Sequence, residues 1–151
     1  FAHKVKDVSE FLAEEQYSKR LEELMEKNAA GMHSLGRVTY HDACHLAHGQ
    51  SIREQPRDLL ALLAKYVPDM QIVPLGESEL CCGSAGSYNI TQPEMAMQLL
   101  NRKLDHVEES GADVVVTGNP GCMMQIRLGT LQRDLPIEVL HPVELLDRAT
   151  A

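Results

Sequence analysis

The stretch "ADVVVTGNPGC" (112–122) decides the fold, because it joins a strand directly to the start of a helix. Its first part (112–118) is a continuous apolar run, which is typical of a strand covered on both faces of a sheet. The next residues, "GNPG" (118–121), predict a tight turn into a helix that Cys122 opens. A buried strand that leads straight into a helix indicates a parallel sheet with helical crossovers.

The same alternation of strand and helix continues on both sides of this stretch. Apolar and β-branched runs predict strands at 36–42, 70–75, 112–118 and 136–141, and amphipathic runs predict helices at 55–68, 91–111, 120–134 and 142–151. Alternating elements of this kind form parallel sheets with right-handed connections. We therefore predict an α/β fold with an open, mainly parallel sheet of about four strands and helices on both faces.

A helical segment precedes this α/β unit. Residues 5–28 carry apolar side chains at helical spacing, and the polar stretch "AEEQ" (13–16) between two apolar groups indicates a break in the helix. We divide the chain into a helical lead-in (1–34) and a cysteine-rich α/β domain (35–151).

The composition excludes several classes of function. The formal net charge is −8 and the 14 basic residues are scattered, which argues against a nucleic-acid partner. No apolar run reaches the roughly 18–20 residues of a transmembrane helix. Because the 151 residues can form a sizeable core, the four cysteines do not indicate a small secreted disulfide scaffold. We expect a cytoplasmic protein whose thiols are free, metal-bound or redox-active.

All four cysteines follow predicted strands. Cys44 follows the first strand, and Cys122 follows the third. Cys81 and Cys82 follow the second strand as an adjacent pair. The carboxyl ends of parallel strands meet at one edge of the sheet, where ligands bind, so we expect the four thiols to converge there.

Glycines and histidines lie close to these thiols in the sequence. Gly83, Gly86 and Gly121 would allow the backbone to approach a bound cofactor and to donate hydrogen bonds to its sulfur atoms. His41 and His45 lie on either side of the first cysteine and are candidates for a supplementary metal ligand or a proton partner.

The residues leave four functions open. Thiolates bind iron in electron-transfer clusters, and they also bind zinc in structural sites. Without a metal, Cys81 and Cys82 could form a strained, labile disulfide. The fourth alternative is a metal-free module that docks partner subunits.

The cysteine spacing resembles that of the CCG cysteine-rich domain family. Cys44 is followed after 36 residues by "CCG" (81–83), and a further 38 residues separate that motif from Cys122. The strings "HDACHLAHGQ", "TGNPGCMMQI" and "LHPVELLDRA" are similar to the carboxyl-terminal part of the iron–sulfur subunits of bacterial glycolate oxidases. The resemblance covers nearly all of 35–151.

The resemblance implies an electron-transfer domain that holds a [4Fe–4S] type of cluster through Cys44, Cys81, Cys82 and Cys122, with zinc as the alternative metal. Electrons would come from flavin-containing hydroxyacid oxidase subunits and pass towards a membrane acceptor, so this chain would not itself catalyse the oxidation. A ferredoxin-like region of the same subunit would be a further partner. The complex would be cytoplasmic or peripheral to the inner membrane.

The last motif departs from the family pattern. Many members have CxxC there, whereas this chain has "CMMQ" (122–125), with Gln125 in place of the second cysteine. A site with one thiolate fewer would hold a cluster with a non-cysteine ligand, or zinc, or no metal.

Overall fold

The computed structural model describes residues 4–28 and 31–150. Residues 1–3, 29–30 and 151, which the predicted lead-in and the predicted last helix include, lie outside the described residues. In chain order the elements are α1 (Val8–Ala13), α2 (Glu15–Asn28), β1 (Arg37–Tyr40), a π-helix (His45–Gln50), α3 (Glu54–Tyr66), β2 (Gln71–Ile72), α4 (Tyr88–Thr91), α5 (Pro93–Ser110), β3 (Val114–Val116), α6 (Pro120–Gln132), β4 (Glu138–Leu140) and α7 (Pro142–Thr150).

The four strands form one parallel sheet in the order β2-β1-β3-β4. In the register, Val38 of β1 pairs with Ile72 on one side and with Val114 on the other. Val115 of β3 pairs with Val139 of β4. The predicted α/β fold with four parallel strands is confirmed.

Neighbouring side chains of a strand point to opposite faces of the sheet, so the apolar strands present side chains on both faces. Helices cover both faces. On one face, Val114 and Val116 pack in a cluster with residues of α2, α3 and α7, among them Met25, Leu63 and Leu145. On the other face, Val115 packs in a second cluster with residues of α5 and α6, among them Leu104 and Ile126. The second cluster also contains Cys82 and Cys122, so the apolar core continues to the cysteines.

The helices are amphipathic rather than apolar throughout. The longest, α5, buries Ala96, Leu100, Leu104 and Val107 along one side. Within the described ranges, no helix combines the length and the apolar composition that a bilayer span would require.

The predicted break in the lead-in is confirmed at Glu14, which separates α1 from α2. Asp7 caps α1 by accepting a hydrogen bond from the backbone of Ser9, and Glu10 completes a capping box. Met25 of α2 is fully buried in the core beneath the sheet. The lead-in therefore packs against the α/β unit.

The second strand is shorter than its predicted range of 70–75. The Val73 N–H still donates to the Val38 carbonyl at 2.9 Å. The Val73 carbonyl, however, accepts from the Thr39 hydroxyl at 2.8 Å instead of from a backbone N–H. The backbone ladder therefore ends there, and the chain leaves the sheet at Pro74.

Two short helices were not predicted. The π-helix follows Cys44, and α4 precedes the Pro93 that begins α5. Each spans too few residues to show the repeated apolar spacing that indicates a helix in a sequence.

An ion pair between the buried Asp42 carboxylate and the partly exposed Arg57 guanidinium fixes the turn after β1. Asp42 is only 2% exposed, and both of its carboxylate oxygens accept hydrogen bonds from Arg57 at 2.7 Å. Burial opposes the ionisation of Asp42, but hydrogen bonds from Arg57 and Ser78 outweigh it and lower the pKa of Asp42. The Asp42 N–H also donates to the Ser78 carbonyl at 3.1 Å, which ties this turn to the loop that carries Cys81.

We predict that Asp42→Asn lowers the free energy of unfolding by roughly 1–3 kcal/mol at neutral pH, because it leaves Arg57 without its carboxylate partner. Urea denaturation followed by circular dichroism measures the change. The matched control is Glu79→Gln, which removes the carboxylate of the exposed pair between Glu79 and Arg53. That control should change the stability by less than about 1 kcal/mol. Equal losses in the two variants would contradict the role of the pair between Asp42 and Arg57.

Candidate metal centre

A cavity of about 290 Å³ lies at the carboxyl-terminal edge of the sheet. All four cysteines line it, together with His41, His45, Gly86 and Gly121. Cys44 comes from the turn after β1, and Cys122 lies in the first turn of α6, after β3. Cys81 and Cys82 come from the loop between β2 and α4. The convergence that the parallel topology predicts is therefore observed, although the cysteines lie in three distant parts of the sequence.

The four thiols differ in their exposure. Cys82 and Cys122 are buried, Cys81 is half-buried and Cys44 is exposed, and all four are free thiols. The site therefore has a buried floor formed by Cys82 and Cys122, and an open side at Cys44.

His41 belongs to the buried floor. The ligand atoms of His41, Cys82 and Cys122 all lie within 4.8 Å of one another. The backbone N–H of His41 continues the pairing of β1 by donating to the Val116 carbonyl at 2.9 Å. Its ring nitrogen Nδ1 is buried and has no hydrogen-bond partner among the described residues. Two thiols and an imidazole grouped this closely fit a site that a bound metal would complete.

Hydrogen bonds favour a thiolate at Cys82. A hydrogen bond from Cys122 lowers the pKa of Cys82 against the opposing effect of burial, and hydrogen bonds from His41 and the Ser84 backbone add to the lowering. Burial raises the pKa of Cys81, while the Gly83 N–H, which lies 3.3 Å from Cys81 Sγ, partly offsets this effect. The backbone therefore presents N–H donors to both adjacent sulfurs, as anionic sulfur requires.

Asn119 connects the turn of the third cysteine motif to His45. Its Oδ1 accepts from the Cys122 N–H at 3.0 Å, which caps α6. Its Nδ2 lies 3.0 Å from His45 Nδ1. Asn119, Gly121 and Cys122 line the cavity, so the N-terminus of α6, with its partial positive charge, lies at this site.

Of the three predicted glycines, Gly86 and Gly121 line the cavity, whereas Gly83 does not. Gly83 has φ +91°, and a Cβ there would lie 2.3 Å from the Ala96 carbonyl oxygen of α5. Gly86 has φ +65°, but a Cβ there would meet no atom within 4 Å. A Cβ at Gly121 would lie 3.0 Å from Asn119 Oδ1. Gly83 is therefore needed for packing as well as for backbone conformation.

Gln125, at the position of the missing cysteine, does not line the cavity. The side chain is buried, and its Oε1 accepts from Asn89 Nδ2 of α4 at 3.3 Å. The thiolates that the chain offers are therefore the four that line the cavity.

Sequence reasoning missed Lys103. The apolar stripe of α5 predicts a buried face, but lysine normally lies in solvent, so this position gave no signal. In the structure Lys103 is fully buried and donates to the loop that precedes the adjacent cysteines.

Comparisons with known proteins show the family of the chain. The sequence model of the family described as "CCG: Cysteine-rich domain" matches residues 38–127, and the chain belongs to this family. It is 37% identical over 111 residues to the "Probable glycolate oxidase iron-sulfur subunit" of Bacillus subtilis (strain 168). The aligned residues make up 72% of this chain and 24% of that protein.

Two further relatives have other names. The chain is 32% identical over 142 residues to "Lactate utilization protein A" of Bacillus pumilus, which covers 92% of this chain and 58% of that protein. It is 34% identical over 146 residues to a subunit of the fumarate reductase (CoM/CoB) of Methanothermobacter marburgensis, covering 96% of this chain and 27% of that protein. The chain thus spans between a quarter and three-fifths of the length of these relatives.

We predict that Gly83→Ala destabilises the protein by roughly 2–4 kcal/mol, because the methyl group would be strained at this φ and would collide with the α5 backbone. Gly86→Ala is the matched control, since it carries only the cost of a positive φ, about 1–2 kcal/mol. Thermal or urea unfolding of the metal-free protein measures both changes. A cost at Gly83 no larger than that at Gly86 would show that the loop does not pack on α5 as described.

Proposed function

We propose that this chain is an iron–sulfur electron-transfer domain. The observation that carries the proposal is the convergence of Cys44, Cys81, Cys82 and Cys122 on one cavity. Soft thiolate ligands suit iron–sulfur clusters, and all four cysteines of the chain contribute to the same site. The name of the Bacillus subtilis relative, an iron–sulfur subunit, supports the same chemistry.

The chain's own residues fit such a group. The four thiolates would hold it, with a [4Fe–4S] type of cluster as the proposed form, and a bound cluster would supply one-electron transfer. Cys82 and Cys122 shield one side from water, because both are buried. The N–H groups of Gly83 and Ser84 donate to the adjacent sulfurs and favour the anionic state. Cys44 is exposed, so the site is open towards solvent or a partner on that side.

The parent complex is proposed to be a 2-hydroxyacid oxidoreductase of several subunits. Relatives named for glycolate oxidase and for lactate utilization support this class of substrate. In such a complex a flavin-containing subunit would oxidise the hydroxyacid, and this domain, with a ferredoxin-like region of the same subunit, would pass the electrons towards a membrane acceptor. Residues 35–151 would form the electron-transfer domain, and the complex would be cytoplasmic or peripheral to the membrane.

A structural zinc site is the second candidate. The specific observation that favours it is the compact set of His41, Cys82 and Cys122, whose ligand atoms lie within 4.8 Å of one another. Two thiolates and an imidazole are common zinc ligands, and zinc would then need one further donor. Cys44 and Cys81 line the same cavity and are available for this position.

We predict that the protein, reconstituted anaerobically with iron and sulfide, acquires visible absorbance and bound iron, and that Cys82→Ser abolishes both. The variant should stay folded, because the apolar core is extensive without the metal. Ser84→Ala is the matched control, since Ser84 lines the cavity but supplies no thiol. Iron analysis, visible spectra and circular dichroism measure the outcome. Full iron content in Cys82→Ser would contradict the proposed site.

The two candidate metals are distinguished by His41→Gln. If the centre is a cluster held by four thiolates, the variant should keep its iron and its visible absorbance. If the centre is a structural zinc site, the variant should lose most of its zinc, because it removes one of three clustered ligands. Elemental analysis of protein prepared in parallel with iron and sulfide or with zinc separates these outcomes.

A further inference from the structure

A buried lysine lies beneath the loop that carries the adjacent cysteines. Lys103 of α5 is 0% exposed. Lysine is almost never fully buried unless it is paired, so its position needs a reason. The candidate site does not explain it, because Lys103 does not line the cavity.

The partners of Lys103 are backbone carbonyls of one short segment. Its Nζ donates to the Glu77 carbonyl and lies 3.4 Å from the Ser78 carbonyl. The Ser78 carbonyl also accepts from the Asp42 N–H at 3.1 Å. Glu77 has a positive φ of 48°, so the segment holds a conformation that few residues adopt without support. Lys103 thus anchors the loop three to four residues before the adjacent cysteines.

Among the described residues, no carboxylate forms an ion pair with Lys103. Two carboxylates act on it, Glu77 and Asp42. Glu77 already forms an ion pair with Arg102, and Asp42 forms one with Arg57. The local surplus charge at this side of the loop is therefore positive.

Lys103 lies against the loop of the adjacent thiols, because its Nζ donates to the Glu77 carbonyl and lies 3.4 Å from the Ser78 carbonyl. Burial lowers the pKa of Lys103 to about 8, while the charges of Cys82 and, more weakly, Cys81 oppose the lowering. At neutral pH the ammonium form therefore predominates. Leu100 and Leu104 of α5 precede and follow Lys103 in the sequence. Both pack in the same core cluster as Cys82.

We propose that Lys103 is a positioning residue of the metal centre. Lys103 holds the Cys81–Cys82 loop on α5, and its positive charge favours the reduced state of the bound group. The second half of this inference rests on the proposed electron-transfer function. A fixed cation stabilises the more negative of two redox states, and its effect is large in a buried, weakly screened environment. Removal of the charge should therefore lower the reduction potential.

The first test uses the metal-free protein. Lys103→Met keeps most of the side-chain volume and removes both the charge and the donors. Amide hydrogen exchange in residues 77–83, measured by mass spectrometry, should become roughly 10- to 100-fold faster, the factor expected for the loss of one charge-assisted hydrogen bond. Arg102→Met is the matched control, because it removes the same charge from the exposed neighbour that pairs with Glu77. Its effect should stay below about fivefold.

The second test uses the protein reconstituted with iron and sulfide. A redox titration followed by visible absorbance or EPR should give a lower potential for Lys103→Met than for the wild type, and an unchanged potential for Arg102→Met. Lys103→Gln retains a donor without the charge. It should protect the loop from hydrogen exchange better than Lys103→Met does, and it should also lower the reduction potential. If Lys103→Met does not fold, Lys103→Gln serves in its place.

The outcomes separate this inference from the proposed function. If the wild type takes up no iron, the proposed function fails, and the exchange rates of the metal-free protein still decide whether Lys103 positions the loop. If the wild type takes up iron but the lysine variants keep wild-type exchange rates and potential, the inference about Lys103 is overturned while the metal site stands.

Discussion

The four strands run parallel, so the loops that follow them all lie at the same edge of the sheet. The candidate site depends on this constraint. Cys44 and Cys122 follow neighbouring strands β1 and β3, whose pairing fixes the separation of the two turns. The Cys81–Cys82 loop comes from β2, on the other side of β1. No local motif in the sequence brings these thiols together. The pairing of β2, β1 and β3 brings them together, and the apolar clusters on both faces of the sheet hold that pairing in place.

The Cys81–Cys82 loop needs further support, because β2 contributes only a short ladder. That support comes from two directions. On one side, the turn after β1 holds Ser78 through Asp42, which is itself fixed by Arg57. On the other side, α5 contacts the loop through Ala96, which packs against Gly83, and through Lys103, which donates to the Glu77 carbonyl. The loop so held presents the N–H groups of Gly83 and Ser84 to the two adjacent sulfurs, where they favour negative charge.

The sequence predicts the parts of this structure that depend on repeated patterns. The parallel sheet followed from apolar runs that alternate with amphipathic ones, and the convergence of the cysteines followed from that topology. Features that depend on single tertiary contacts gave no such pattern. The π-helix and α4 are too short to show a period, and Lys103 has the residue type of a solvent-exposed position. The early end of β2 accompanies a single side-chain contact, in which the Thr39 hydroxyl donates to the Val73 carbonyl. The compact set of His41, Cys82 and Cys122 depends on side-chain directions that no spacing specifies.

Protection of the cysteines from alkylation measures most directly whether four thiols from three loops hold one group together. The reconstituted and the metal-free proteins are treated with iodoacetamide under anaerobic, native conditions, and each cysteine is then scored by mass spectrometry. We expect Cys44 and Cys81, the more accessible pair, to be alkylated in the metal-free protein and protected together with Cys82 and Cys122 once iron and sulfide are bound. Alkylation of Cys44 or Cys81 at the same rate in both forms, with iron still bound, would show that the thiol does not belong to the centre and would contradict the account.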